Sequence, residues 1–315
     1  MSTRYEVPAP TRARGSAPVE QRGRRYGERL NDGAFAVLIM LPGLALLIGI
    51  VLYPLIASLV TAFFKQSLVV PGRTFVGLGN VASVLQDDAW QLLRQTLIFA
   101  VGATLLPFVV GFALALALNT GIRGERVLRG VLLIPWLVPG VVVSFLWAWI
   151  FNANYGVANA ILEGLGVIDS PQAWLSSPLW AMVALIIAKT WASFPWIMVM
   201  LLAGLQTVPA ELHEAAEMDG AGAIRRFTAV TVPHLRPLMS IVLLLEFIWN
   251  FQHFDIIYVL TGGGPAGTTS TFATAVYETA FKGFDLGRAS AIGLVWMVLL
   301  LLLVIVYVRR ADKEA

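Results

Sequence analysis

One segment of the chain carries polar and aromatic residues of the kind that bind a hydroxylated ligand. Glu246, Trp249, Asn250, His253 and Phe254 recur every three or four residues, which predicts one stripe along a helix. Carboxylate, amide and imidazole groups can hydrogen-bond to hydroxyls, and aromatic faces can stack on sugar rings. The alternative, which the sequence leaves open, is that these residues join membrane helices through polar contacts.

Two further segments supply similar residues. In KTWASFPW, Lys189, Ser193 and Trp196 share one helical face, and Pro195 is expected to interrupt the helix beside a cavity. In IPWLVPG, Trp136 lies between two prolines and is followed one turn later by a glycine. These side chains predict a binding site inside a bundle of helices.

Lys189, Glu246 and Asp255 are ionisable residues within apolar segments. Each costs about 2.5–3.5 kcal/mol at the centre of a membrane helix, so such residues usually face a cavity or a partner charge. Lys189 is expected either to pair with Glu246 or Asp255 or to contact the ligand directly.

The composition shows which elements must position these residues. Of the 315 residues, 58% are hydrophobic and only 13% are charged, against about 25% charged in soluble domains. Long uncharged runs of about 20 residues or more predict an all-α, multi-spanning membrane protein. The predicted spans are 34–62, 92–119, 128–151, 179–205, 235–261 and 289–308. They form a domain of residues 34–310, followed by a short C-terminal tail, 311–315.

Basic residues predict the orientation. Sixteen of the 22 Lys and Arg residues fall in the N-terminal segment, the second-to-third and fourth-to-fifth connections and the C-terminal end. Because Lys and Arg favour the cytoplasmic side, both termini are predicted to be cytoplasmic. Residues 1–33 are rich in Arg, Pro and Gly and are expected to form a flexible basic tail.

The connection at residues 206–234 predicts two short helices. The first begins near Pro209 and ends at Asp219-Gly220. The second covers about 223–231 and ends before Pro233. An amphipathic connector lying on the membrane would show a similar pattern.

This connection resembles the signature loop of permeases from binding-protein-dependent ATP-binding-cassette (ABC) importers. The pattern is carried by Glu214, Ala215, Ala216, Gly220, Val230, Val232 and Pro233 at the expected spacing. The resemblance implies the type I importer permease fold. It also implies that this loop is a coupling helix that docks on an ATPase subunit. The implied docking residues are Glu214, Ala215, Ala216, Asp219, Gly220 and Ala221.

The polar segments, together with TGGGP at 261–265, look like the sugar-permease branch of that family. This resemblance implies a mid-membrane cargo site. With Glu246 added from the polar stripe, the predicted site comprises Trp136, Gly140, Lys189, Ala192, Ser193, Trp196, Glu246, Asn250 and His253. Lys189 and His253 stand where the family pattern has amides, so an anionic cargo such as a sugar phosphate stays open beside a neutral di- or oligosaccharide.

The resemblance also implies the partners. These are a second homologous permease, two ATPase subunits that bind ATP and Mg²⁺, and an extracytoplasmic solute-binding protein, in a bacterial cytoplasmic membrane. None of the four lysines follows a glycine, which excludes a P-loop in this chain, so no cofactor is expected here.

Other classes of function are less compatible with the sequence. It contains no HExxH or GxSxG motif and no cysteine, which argues against a metal site and an enzyme. The only basic cluster is the N-terminal tail, which argues against nucleic-acid binding. Two alternatives stay open: a proton-coupled secondary transporter that uses the buried charges, and an interaction protein without cargo.

Overall fold

The structure is a computed structural model that describes residues 32–121 and 123–314. The predicted N-terminal tail therefore lies almost entirely outside the described residues, as does Ala315. The chain divides into two compact units, one ending at Pro54 and the other beginning at Leu55.

Helices account for most of the described residues. The α-helices are α1 (Asp32–Leu46), α2 (Tyr53–Thr61), α3 (Gly79–Asp87), α4 (Ala89–Leu118), α5 (Glu125–Leu137), α6 (Gly140–Ile150), α7 (Val157–Gly164), α8 (Pro178–Leu205), α9 (Ala210–Met218), α10 (Ala223–Arg226), α11 (Val232–Phe251), α12 (Asp255–Leu260), α13 (Phe272–Tyr277) and α14 (Leu286–Glu314). Three π-helical turns adjoin them at Leu47–Leu52, Phe227–Thr231 and Glu278–Lys282. Strands β1 (Phe64–Gln66) and β2 (Arg73–Phe75) pair antiparallel, with Lys65 opposite Thr74.

Within the described residues, five helices are long and apolar enough to cross a membrane, and a bent pair supplies a sixth crossing if it counts as one span. The five are Ala36–Thr61, Ala89–Leu118, Pro178–Leu205, Ala223–Phe251 and Leu286–Arg309. The pair is α5 and α6, whose axes differ by 94°. These helices correspond one by one to the predicted spans.

Two proline predictions are wrong. Pro195 does not interrupt α8, which is continuous from Pro178 to Leu205. Pro233 does not end the second short helix either, because α10, a π-helical turn and α11 form one helix from Ala223 to Phe251. Pro233 lies in the first turn of α11, and the π-helical turn absorbs the change in hydrogen bonding just before it.

The prediction of a single helical stripe at 246–254 is also only partly correct. Helix α11 ends at Phe251, and Gln252 and His253 leave helical geometry before α12 begins at Asp255. His253 is held at this break by a bond from its backbone N–H to the Asn250 carbonyl, 3.2 Å. Periodicity continued across the break, so the sequence showed no boundary there.

The core of the bundle forms where α4, α8 and α11 pack together. One buried cluster contains Phe108, Met198, Leu201 and Val242, drawn from all three helices. Gly111 allows α4 to approach α8 closely, because a Cβ there would lie 2.9 Å from the Phe194 carbonyl oxygen and 3.0 Å from the Met198 nitrogen. This small residue therefore sets the spacing of the two central helices.

Substituting Gly111 tests this packing. Gly111→Ala is expected to lower stability by about 1–3 kcal/mol, because the new methyl group meets backbone that cannot yield. Gly130→Ala in α5 is the matched control, since a Cβ there meets nothing within 4 Å. Both substitutions replace glycine by alanine within an α-helix, so both raise the helix propensity by the same amount. Thermal unfolding in detergent should show a lower midpoint for Gly111→Ala alone, and equal midpoints would contradict the packing argument.

Candidate cargo site and coupling loop

A cavity of about 170 Å³ lies between α5, α6, α8 and the junction of α11 with α12. Its lining is made of Pro135, Trp136, Val138, Gly140, Val143, Lys189, Ala192, Ser193, Trp196, Glu246, Trp249, His253 and Ile256. Eight of the nine residues predicted as cargo contacts are in this set. Segments that are far apart in the sequence thus meet at one place.

The break between α5 and α6 places one wall of the cavity. Pro139 removes Val138 from helical conformation, as expected for a residue before proline, and Val138 has φ −78° and ψ 128°. Helix α6 then restarts at Gly140. The chain turns sharply between the two helices, so Trp136 before the break and Gly140 after it face the same space.

Helix α8 forms a second wall. Lys189, Ala192, Ser193 and Trp196 follow a spacing of three or four residues and line the cavity together. The Trp196 ring packs edge-to-face on Trp249 of α11, with ring centroids 4.9 Å apart. Trp249 stays 46% exposed, so this aromatic pair keeps accessible surface.

Lys189 and Glu246 pair across the cavity wall. Lys189 Nζ lies 3.9 Å from Glu246 Oε1, and the side chains are only 13% and 2% exposed. Two opposite charges at this distance attract by about 4 kcal/mol at an effective dielectric constant of 20. That attraction offsets part of the cost of placing both ions inside a membrane. The geometry thus supports the ion pair with Glu246 that the sequence offered as one alternative.

Asn250 is the exception among the predicted cargo contacts, because it does not line the cavity. It is 1% exposed, and its Nδ2 lies 2.8 Å from the Ala103 carbonyl oxygen and 3.2 Å from Thr104 Oγ1 on α4. The same nitrogen lies 3.3 Å from Glu246 Oε1. The amide therefore joins α11 to α4 and orients Glu246, the bundle-contact role that the sequence left open.

His253 and Asp255 occupy different surroundings. The His253 ring lines the cavity and stacks near Phe99, with centroids 6.1 Å apart. Asp255 is exposed and does not line the cavity, although its Oδ2 would lie 3.4 Å from a Cβ placed on Gly140. In the described residues, no cluster of His, Asp and Glu has an arrangement that could hold a metal ion.

Sequence reasoning missed several wall residues. Val143 and Ile256 line the cavity, but nothing in their sequence setting separates them from other apolar residues in the spans. Trp249 belonged to the polar stripe, and its spacing from Glu246 was the signal that could have added it to the site. The α4 partners of Asn250 lie 146 and 147 residues away, so only the fold reveals them.

The connection after α8 forms the predicted first helix and turn. Helix α9 starts after Pro209 and is closed by Asp219 and Gly220, which has φ +75°. The Ala221 N–H bonds back to the Ala216 carbonyl, 2.9 Å. Glu217 and Arg226 form an ion pair of 2.5 Å that ties α9 to α10.

The turn between α9 and α10 exposes two large apolar side chains. Met218 and Ile224 are 87% and 82% exposed on either side of Gly220. Glu214, Ala215 and Asp219 are exposed as well, and Ala216 and Ala221 are half-buried. Small residues and two exposed apolar side chains together make a surface suited to a protein partner.

The fold and these two features define a multi-spanning membrane transport protein. Comparison with known proteins identifies its family. Residues 107–311 match the model for the binding-protein-dependent transport system inner membrane component. The chain is 36% identical over 282 residues to the trehalose/maltose transport system permease protein MalF of Thermococcus litoralis, covering 89% of this chain and 95% of that one.

Two other comparisons agree. The chain is 37% identical over 287 residues to the sulfoquinovosyl glycerol transport system permease protein SmoG of Agrobacterium fabrum, covering 89% and 91% of the two chains. The fold matches a chain of a bacterial ABC transporter involved in the import of the acidic polysaccharide alginate, with TM-score 0.77, 20% identity and coverage of 89% and 95%.

This chain belongs to the family of inner-membrane components of binding-protein-dependent transport systems, the permeases of ABC importers. It is a multi-pass inner-membrane transport permease and not an enzyme. The predicted fold class and family are confirmed, and membership removes the alternative of a proton-coupled secondary transporter. The orientation of the termini stays a prediction.

Filling the cavity tests whether cargo passes through it. Ala192→Trp places an indole in a space of about 170 Å³ and is expected to reduce uptake at least about tenfold. Ala203→Trp is the control, because Ala203 is exposed on the same helix and lies outside the cavity. Uptake should be measured in variants of equal membrane abundance. Normal uptake by Ala192→Trp would mean that cargo takes another path.

Proposed function

We propose that this permease translocates a neutral sugar, a di- or oligosaccharide, which a solute-binding protein delivers. A second, homologous permease completes the pathway, and two separate ATPase subunits bind ATP and Mg²⁺. In this arrangement both termini and the segment 206–234 face the cytoplasm, as the distribution of Lys and Arg predicts. The observation that carries the proposal is the cavity lined by aromatic and paired charged side chains.

The chemistry of the cavity suits a sugar. Trp136, Trp196 and Trp249 offer broad apolar faces for sugar rings, and Ser193 offers a hydroxyl. The charged groups are already paired, so hydroxyls can hydrogen-bond to them without bringing a net charge into the site. The relatives named for trehalose/maltose and for sulfoquinovosyl glycerol support a sugar-like cargo.

An anionic sugar is the second candidate. Lys189 is a buried cation in the cavity wall, and an incoming anion could draw it away from Glu246, since 3.9 Å is a loose ion-pair distance. The relative named for sulfoquinovosyl glycerol supports a cargo other than a simple disaccharide. The neutral cargo is favoured here because Glu246 already faces Lys189.

The coupling segment provides a mechanical link to the ATPase. Met218 and Ile224 would dock in a cleft of the ATPase, with Glu214 beside them. The helix from Ala223 to Phe251 then runs without a break to Glu246, a distance of about 35 Å at 1.5 Å per residue. Closure of the ATPase pair would move one end of this helix, and the cavity at its other end would open to the opposite side.

A cargo panel tests the proposed function. The assembled transporter, reconstituted with its binding protein, should show ATPase stimulation by one neutral di- or oligosaccharide and ATP-dependent uptake of it. Ionophores that collapse proton and sodium gradients should leave uptake unchanged. Stimulation only by phosphorylated or acidic sugars would establish the second candidate, and stimulation by no sugar would overturn the proposal.

Reversing a charge on the coupling segment tests docking. Glu214→Lys is expected to reduce cargo-stimulated ATPase activity and uptake at least about tenfold. The new lysine would place a positive charge at a closely packed interface where the parent protein has a negative one. Glu163→Lys makes the same change on α7, at an exposed position in a segment predicted to face the opposite side. Co-purification of the ATPase with each variant reports docking directly. Full activity of Glu214→Lys would contradict the docking role.

A further inference from the structure

The cavity contains a cation whose charge another wall residue cancels. Lys189 comes from α8 and Glu246 from α11, and both side chains line the same cavity while remaining almost fully buried. The two residues lie on separate helices, so the packing of the bundle brings their charges together. Each residue therefore controls the electrostatic environment in which the other meets cargo.

We propose that Glu246 determines the charge selectivity of the permease by neutralising Lys189, so that removing its carboxylate converts a neutral-sugar site into an anionic-sugar site. This inference rests on the proposed function and assigns a specificity role to one residue of that site. A carboxylate, sulfonate or phosphate on a sugar would compete with Glu246 for the same ammonium group. Among the described wall residues, Lys189 is the only buried cation that such an anion could bind. With Glu246 present, the anion would also be repelled by the carboxylate beside Lys189.

The surroundings of Glu246 support a fixed role. Asn250 Nδ2 lies 3.3 Å from Glu246 Oε1 and is itself anchored to the Ala103 carbonyl on α4. The Glu246 side chain is only 2% exposed, so the bundle encloses the carboxylate. Lys189 has the longer and more exposed side chain, and it is the member of the pair that can reach a ligand. Asn250 is thus a positioning residue for the selectivity of the site.

The wall contains one further titratable group. His253 lines the cavity beside Ile256 and packs against Phe99. As a neutral ring it can hydrogen-bond to a hydroxyl or to an anion, so it does not discriminate between the two cargo classes by charge. The charge balance of the wall therefore depends on Lys189 and Glu246.

The test is a cycle of charge removal in the assembled transporter. Glu246→Gln, Lys189→Gln and the double variant are compared for uptake of the neutral sugar that stimulates the parent protein. Each single variant is expected to lose at least about tenfold in uptake, because it leaves one buried charge unpaired. The double variant should recover to within about threefold of the parent, because no unpaired charge remains. A double variant as poor as Lys189→Gln would overturn the proposal and make Lys189 a direct sugar contact.

A binding measurement tests the change of selectivity itself. The acidic counterpart of the neutral sugar, with one hydroxymethyl group oxidised to a carboxylate, is titrated into the detergent-solubilised complex without binding protein. Glu246→Gln should bind this acid at least about tenfold more tightly than the parent, and the double variant should not. Equal affinity of Glu246→Gln and the parent for the acid would contradict the inference.

A matched control separates this effect from general charge changes. Glu278→Gln frees Lys282 from an exposed i,i+4 ion pair of 3.0 Å outside the cavity. It makes the same chemical change and should leave both uptake and acid binding as in the parent. Acid binding gained by Glu278→Gln as well would overturn the proposal, since the gain would not depend on the cavity.

Two further measurements separate failure of this inference from failure of the proposed function. If Glu246→Gln fails to assemble, the charge-exchanged variant Lys189→Glu/Glu246→Lys retains a pair and should still favour the neutral sugar over the acid. A preference for the acid in that variant would contradict the inference. The parent protein alone reports on the proposed function, because a parent that transports no sugar refutes it whatever the variants do.

Discussion

Burial of a lysine inside a membrane bundle is the constraint on which the rest of this structure depends. Lys189 needs a counter-charge, and Glu246 supplies it from α11 at 3.9 Å. Glu246 must in turn be held in place, and Asn250 connects it to the α4 backbone. Helix α4 in turn packs closely on α8 at Gly111, and α8 is the helix that carries Lys189. Three central helices are therefore joined by both apolar packing and one polar network.

The same arrangement connects the cavity with the surface that we propose meets the ATPase. Glu246 and Trp249 lie near one end of a continuous helix whose other end begins at Ala223. The Glu217–Arg226 ion pair joins that end to α9. In the proposed assembly, the continuous helix from Ala223 to Phe251 would transmit closure of the ATPase pair to the cavity without any chemical step in this chain. In the proposed arrangement this chain supplies the path and its selectivity, and partner subunits supply the energy.

Much of this architecture could be predicted from the sequence. Long uncharged runs predict the membrane helices, because a helix that crosses the membrane needs about 20 apolar residues. Spacing of three or four residues places Lys189, Ser193 and Trp196 on one face, and all three line the cavity. Prolines were the main source of error. Pro139 lies at the break before α6, whereas α8 continues through Pro195, and Pro233 lies in the first turn of α11 after a π-helical turn. The residue type alone therefore does not predict where a helix ends. Contacts such as Asn250 with Thr104 join residues distant in the chain, so local patterns cannot reveal them.

The central claim is that cargo occupies the cavity beside Lys189 during transport. The chain contains no cysteine, so Ala192→Cys provides a single reactive thiol in the cavity wall and Ala203→Cys a control outside it. The rate of maleimide labelling should be measured in the assembled transporter with and without cargo-loaded binding protein and ATP. Cargo is expected to slow labelling of Ala192→Cys and to leave the labelling of Ala203→Cys unchanged. Unchanged labelling of Ala192→Cys during normal cargo-stimulated ATP hydrolysis would contradict passage of cargo through the cavity.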